Sequence, residues 1–215
     1  MANRSTSGFG LRAAMKLGNS PAISGQSKYA IKSGLSVGIF KGNPASIQLA
    51  GDTGYIQDSG FSTTDDGNDG GIDFTTANDA LLVGVHNGVF FIDNTTSKPT
   101  FANSVAASTT FGTNPNTNST DGVAFVNDDP DQEYVVKADA AVTQAMIGTS
   151  FNVNNFTAGE AISGQSTVKL DIGGGSAETK MFRVVRSADE SENNDLSLTN
   201  ANIVVAFNSA SNLYQ

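Results

Sequence analysis

Short runs in which apolar and polar residues alternate recur along this chain. In GLSVGIF (residues 34–40) every second residue is apolar, which places the apolar side chains on one face of a β-strand. Such runs, separated by turn-forming Gly, Pro, Asn and Ser, predict an all-β protein, a single β-barrel or β-sandwich of about 8–10 short strands. The strand-like segments are residues 28–32, 34–40, 45–49, 80–85, 89–92, 123–126, 133–138, 167–172, 179–186 and 202–208, and residues 100–105 are weakly strand-like.

Two segments call for a different interpretation. Residues 139–147 (DAAVTQAMI) carry apolar residues at helical spacing between Asp139, a suitable N-cap, and Gly148, and predict the one short helix. Asn87-Gly88 lies between two apolar runs and predicts a β-hairpin whose turn exposes His86.

The chain divides into an N-terminal arm and a β domain. Residues 1–20 are small, polar and basic, and predict an extended arm; residues 21–215 hold the predicted strands. Three long polar loops are expected in the β domain, at 57–79, 111–122 and 187–197.

Composition narrows the possible chemistry. Gly, Ser, Thr and Asn supply 87 of the 215 residues, and only 15% of the chain is charged, which favours short strands and turns. Cysteine is absent and His86 is the single histidine, so disulfides, thiolate metal sites and polyhistidine metal centres are excluded.

Charge is distributed unevenly within the net value of −9. Residues 1–51 carry six of the twelve Lys and Arg residues and no Asp or Glu, whereas the rest of the chain is strongly acidic. The basic quarter could bind DNA, dock on an acidic protein, or pair with the chain's own acidic body.

No catalytic motif emerges. His86 has no G-x-S-x-G elbow to accompany it, and GGGS (residues 173–176) lacks the Lys of a phosphate-binding loop. In the acidic stretch 65–73 an EF-hand alignment leaves Gly67 at a ligand position and Thr76 at the closing Glu, so a solvated loop is preferred over a calcium site. We therefore expect no enzymatic activity, no metal and no cofactor.

Nucleic acid and membrane are not expected as partners. Only Phe9 and Tyr29 fall among the basic residues of the first quarter, whereas nucleic-acid platforms interleave several aromatics with cations. No secretory h-region is present and no stretch approaches 18 apolar residues, so we expect synthesis in a host cytoplasm.

One segment carries a family resemblance. Residues 126–139 (VNDDPDQEYVVKAD) resemble the V-x-DDP segment of small structural proteins encoded with the capsid genes of tailed bacteriophages, including marine podoviruses and cyanophages. GFGLR (residues 8–12) is similar to the family's FGLRP-like start, with Ala13 in place of Pro, and residues 80–91 are similar to its LLGVFxGV strand pair. The acidic insertion near residues 60–73 departs from the family pattern.

The resemblance implies a capsid decoration (cement) protein on the virion surface. Such a protein would bind the outside of the major capsid protein shell, as a homo-oligomer that we expect to be a trimer, with the basic arm as the main contact. The capsid-binding residues implied are Arg4, Phe9, Leu11, Arg12, Lys16, Lys28, Lys32 and Lys41. The alternatives are a head or tail fibre or receptor-binding component that uses the long loops, and a glycan-binding β-sandwich, which the absence of Trp disfavours.

Overall fold

Strands dominate the structure, which confirms the all-β prediction. The computed structural model describes residues 3, 5–18, 21, 25–48, 53–58, 81–154, 159–178, 180–188 and 190–208. Nine strands in this part of the chain have four or more residues and six are shorter. In chain order they are β1 (Arg12–Lys16), β2 (Ser27–Ile31), β3 (Ile39–Phe40), β4 (Pro44–Ile47), β5 (Ile56–Asp58), β6 (Leu81–Ile92), β7 (Pro99–Ala102), β8 (Ser104–Val105), β9 (Gly122–Asn127), β10 (Gln132–Lys137), β11 (Ser150–Phe151), β12 (Val153–Asn154), β13 (Lys169–Leu170), β14 (Phe182–Ser187) and β15 (Asn202–Phe207).

The first sheet is antiparallel, with strand order β1-β10-β15-β14-β11. Its two central strands, β10 and β15, are buried along their whole lengths. One face packs into a core with Phe151, Leu170 and Phe182, where the Phe182 and Phe207 rings lie 5.4 Å apart. The opposite face of the sheet carries Val135 and Val204. These two residues are also buried, in a small cluster against which Phe9 packs. Strands that are buried on both faces have nearly continuous apolar sequences.

The second sheet has strand order β2-β9-β6-β4-β5, and β7 adds to the far half of β6. Its inner face forms a separate core with the loop residues Leu35 and Phe111 and the small β3–β8 ribbon. Strands β9 and β10 are consecutive but belong to different sheets, so residues 128–131 make the corner between the sheets. Strand β1 pairs with β10 at the edge of the first sheet, and β2 pairs with β9 at the edge of the second sheet.

The helix predicted at 139–147 is wrong; a 3-10 turn at Gln144–Met146 is all that forms. Asp139 does not cap a helix, because its carboxylate accepts hydrogen bonds from the Ile172 amide (2.8 Å) and the Asn154 side chain (2.9 Å). Its own amide donates to the Leu170 carbonyl. These long-range bonds satisfy backbone and side-chain groups that a helix would have used locally.

The hairpin predicted at His86–Gly88 is also wrong, because β6 runs unbroken from Leu81 to Ile92. Strand β9 pairs with both halves of β6, and the extra residues form a bulge between His86 and Val89, where Gly88 has φ +133°. His86 is 1% exposed, so it is not a turn histidine at the surface. The Asn-Gly pair supplies the unusual backbone of a bulge rather than of a turn.

The N-terminal segment lies against the β domain. Residues 12–16, within the predicted arm, form the edge strand β1. Leu11 is 4% exposed in the first core, and its amide donates to the Gly42 carbonyl (2.8 Å). A Cβ at Gly8 would lie 2.0 Å from the Thr167 carbonyl oxygen, so the backbone approach there requires glycine.

The predicted loops have different outcomes. Residues 112–121 lie in the connection between β8 and β9 and form no strand, and neither do the described residues 188 and 190–201 between β14 and β15. Most of the loop at 57–79 lies outside the described residues, although β5 extends to Asp58. In the run 34–40 a strand forms only at Ile39–Phe40, because turns at 33–37 bring Leu35 into the second core.

Candidate functional site

A row of apolar side chains crosses the outer face of the second sheet. In register, Ala30 of β2 lies opposite Val123 of β9, Val123 opposite Phe90 of β6, and Phe90 opposite Phe101 of β7. Ala30 is exposed, Val123 and Phe90 are half-buried, and Phe101 is 73% exposed. We call these four residues, together with Phe125, the phenylalanine face.

The aromatic rings of this face contact one another. The Phe90 and Phe101 ring centroids are 4.7 Å apart, and those of Phe101 and Phe125 are 6.3 Å apart. A depression of about 320 Å³ lies beside Phe101 and Phe125. Exposed, mutually packed aromatics with an adjacent depression are typical of protein-binding surfaces.

Lysines border the phenylalanine face on one side. Lys28 lies opposite Phe125 in the β2–β9 register, and Lys32 lies just beyond the end of the same strand. Both are exposed. The carboxylate of Asp121, two residues before Val123, accepts hydrogen bonds from the Tyr55 and Ser119 hydroxyls. The face combines apolar area with the positive charge of the two lysines at its border.

The other predicted capsid-binding residues lie elsewhere. Arg12 and Lys16 form ion pairs with Glu190 and Asp129, which is the self-pairing that the charge distribution left open. Phe9 is half-buried, with the Arg12 guanidinium 5.2 Å and the Lys137 ammonium 5.7 Å from its ring centroid. Leu11 is buried in the first core, so it is not exposed to a shell outside the protein. Arg4 lies outside the described residues.

Four of the predicted residues meet at a different place. Phe9, Leu11, Arg12 and Lys41 line a cavity of about 360 Å³ between the N-terminal segment and the bulge of β6. The cavity also reaches Asn127 at the corner between the sheets. The sequence groups these residues only by charge and position, whereas the fold brings them to one cavity.

The carboxylates of Asp139 and Asp171 form a pair whose hydrogen bonds stabilise the local structure. Asp139 and Asp171 lie side by side, and burial raises the pKa of Asp171, with the Asp139 charge adding to the effect. The Gly174 amide donates to Asp171 (2.8 Å) and opposes that rise in pKa. Within the described part of the chain, no group of three or more His, Asp or Glu is arranged to hold a metal ion. The stretch 65–73 lies outside it.

Sequence reasoning missed the phenylalanine face. The signal was present in the alternation of β7 (PTFA) and β9 (GVAFVN), in which Phe101 and Phe125 occupy the positions between inward-facing residues. The prediction of a hairpin at residues 86–88 did not place Phe90 between β7 and β9. In the structure Phe90 lies opposite Phe101 of β7 and Val123 of β9.

The comparisons with known proteins add no relative: no family model, no curated protein and no solved structure matches the chain. Among the described residues, no helix has the length and hydropathy that a membrane span requires.

Proposed function

We propose that this protein is a virion structural protein of the capsid decoration type, which binds the outer surface of a shell of major capsid protein and stabilises it. The observation that carries the proposal is the phenylalanine face, a broad apolar sheet surface bordered by Lys28 and Lys32. A binding module requires such a surface, and a shell with an acidic outer surface would complement it. The resemblance of residues 126–139 to phage structural proteins agrees with this class.

The contact surface proposed here differs from the free arm expected from the sequence. Arg12 and Lys16 already have carboxylate partners within the chain, so their charges are largely compensated. Lys28 makes no ion pair with a described residue, and it lies beside aromatics that an incoming partner would bury. We therefore assign the contact to the second sheet, with the protein acting as an oligomer, expected to be a trimer, on the virion.

Co-sedimentation with undecorated shells tests the proposal. We expect saturable binding at hundreds of copies per shell. Phe101→Ser should weaken binding about thirtyfold, since a central aromatic contact contributes roughly 2 kcal/mol. Because Phe101 is 73% exposed, the variant should remain folded. The matched control is Met15→Ser, which removes a 47% exposed apolar side chain from the other sheet and should bind like the wild type.

Three results would contradict the proposal or its surface. Failure of the wild type to bind shells rejects the decoration function. Saturation at a few dozen copies indicates a fibre component instead. Equal binding by Phe101→Ser and Met15→Ser places the contact somewhere other than the phenylalanine face.

A further inference from the structure

Three separate parts of the chain form the first walls of the cavity beside β6. The N-terminal segment contributes Leu11 and Arg12, the turn after β3 contributes Lys41, and the bulge of β6 contributes Val85 and His86. Its volume of about 360 Å³ falls within the range of small-ligand sites. None of the residues of the phenylalanine face lines this cavity.

A repeated hexapeptide supplies two further walls. AISGQS occurs at residues 22–27 and again at 161–166. The glutamines at equivalent positions of the two copies, Gln26 and Gln165, both line this cavity. The fold thus brings Gln26 and Gln165, 139 positions apart in the sequence, to one site, and each offers an amide donor.

The charge of the cavity is one-sided. Among the residues that the structure describes, Arg12 and Lys41 line it and no Asp or Glu does. Glu190 compensates Arg12, whereas Lys41 is half-buried and has no ion-pair partner among the residues that the structure describes. A half-buried ammonium without a counter-charge attracts an anion.

A second polar group at the wall also lacks a partner. Asn127 is 5% exposed, and its side-chain oxygen is buried with no hydrogen-bond partner in the described structure. Buried polar atoms are normally satisfied, so an orphaned acceptor at a cavity indicates an occupant that donates a hydrogen bond to it, such as a water molecule or a peptide N–H. Leu11 and Val85 add apolar lining, and Val85 lies directly beside Asn127 in the β6–β9 register.

We propose that this cavity binds a carboxylate carried on a short apolar stem, with Lys41 as the principal cation and Gln26 and Gln165 as amide donors. The stem packs against Leu11 and Val85. Two sources offer this chemistry, a free aliphatic acid and the carboxyl terminus of an apolar peptide. The site is independent of the proposed shell contact.

Titration of the full chain with hexanoate and hexanamide tests the charge requirement. We expect hexanoate to raise the melting temperature and to shift backbone NMR signals at Val85 and Asn127. Hexanamide, which has the same stem without the charge, should bind at least about tenfold more weakly, as expected for loss of a charge-assisted hydrogen bond. Equal binding of the two compounds, or binding of neither, overturns the proposal.

The matched variants are Lys41→Met and Lys28→Met. Each removes one ammonium and keeps a similar stem, but Lys28 lies on the outer face of the second sheet, away from the cavity. Hexanoate affinity should fall about tenfold in Lys41→Met and stay unchanged in Lys28→Met. A Lys41→Met protein that binds hexanoate like the wild type rejects the site.

Titration with two peptides shows whether the carboxylate comes from a free acid or from a peptide terminus. An apolar hexapeptide with a free carboxyl terminus that binds more tightly than hexanoate supports a protein terminus as the ligand, and its amidated form should lose that affinity. Binding of hexanoate without the peptide supports a free acid. The outcome is separable from the shell assay, because Lys41→Met is expected to co-sediment with shells like the wild type.

Discussion

Tyr29 donates its hydroxyl to the Asp128 carboxylate across 2.7 Å, which ties the edge strand β2 to the corner between the two sheets. The neighbouring carboxylate, Asp129, forms an ion pair with Lys16 of β1. Two adjacent aspartates thereby hold the edge strands of both sheets. The Asp-Asp-Pro sequence that carries the family resemblance has this structural task, independent of any partner.

The Tyr29–Asp128 contact predicts a measurable coupling. In a double-mutant cycle with Tyr29→Phe and Asp128→Asn, the free energy of unfolding should show an interaction of about 1 kcal/mol, because a hydroxyl–carboxylate hydrogen bond is charge-assisted. Urea unfolding gives the four free energies. A parallel cycle of Tyr29→Phe with Asp131→Asn, an exposed carboxylate of the same corner, should show almost none. Equal coupling in the two cycles would mean that the bond contributes no specific stability.

The placement of Leu11 gives a second prediction. Leu11→Ala should lower the free energy of unfolding by about 2–5 kcal/mol, since it leaves a cavity in the first core. Arg12→Ala should cost less than about 1 kcal/mol, because its pairing with Glu190 is largely exposed. Similar, small losses in both variants would show that the N-terminal segment is not an integral part of the β domain.

This prediction also bears on how the shell contact is tested. Deletion of residues 1–20 is the experiment that would test a free arm as the contact. In the structure it removes the edge strand β1 and the core residue Leu11. A truncated protein that fails to bind shells would therefore report loss of folding as much as loss of contact, which is why point variants on the phenylalanine face are preferred.

The parts of the fold that were predicted correctly are those in which local pattern and tertiary context agree. Strands β10 and β15 were predicted within one residue, because their β-branched and aromatic residues favour strands and both faces are buried. Asn87-Gly88 shows the limit of local signals: it favours a two-residue turn, but β9 pairs with residues on both sides of it and keeps β6 continuous.

The candidate site was less predictable, because its members come together through contacts distant in sequence. The partner of Arg12, Glu190, lies 178 residues away, so sequence alone left self-pairing and docking as alternatives. Whether a phenylalanine is exposed depends on which face of its strand packs into a core. Phe91 stacks on Phe111 inside the second core, at 4.8 Å, whereas its neighbour Phe90 faces outward.

Lys137 gives a prediction about pH. It is 1% exposed on the outer side of β10, and its ammonium donates to the Ser5 carbonyl across 2.7 Å. Burial lowers its pKa from the ordinary value of 10.5; the nearby Lys169 adds to the effect and Glu190 opposes it. Between the folded pKa and 10.5 the unfolded chain therefore binds more protons than the folded chain. Stability contributed by this group must rise as the pH increases through that window.

Urea unfolding of the wild type and Lys137→Met from about pH 7 to pH 10 measures this effect. The difference in unfolding free energy, wild type minus variant, should increase with pH. Tyr134, whose pKa burial raises, favours the opposite trend at the alkaline end, but it is present in both proteins and cancels in the difference. A flat difference for Lys137→Met would show that water reaches the ammonium and that residues 5–9 do not cover it as the structure describes.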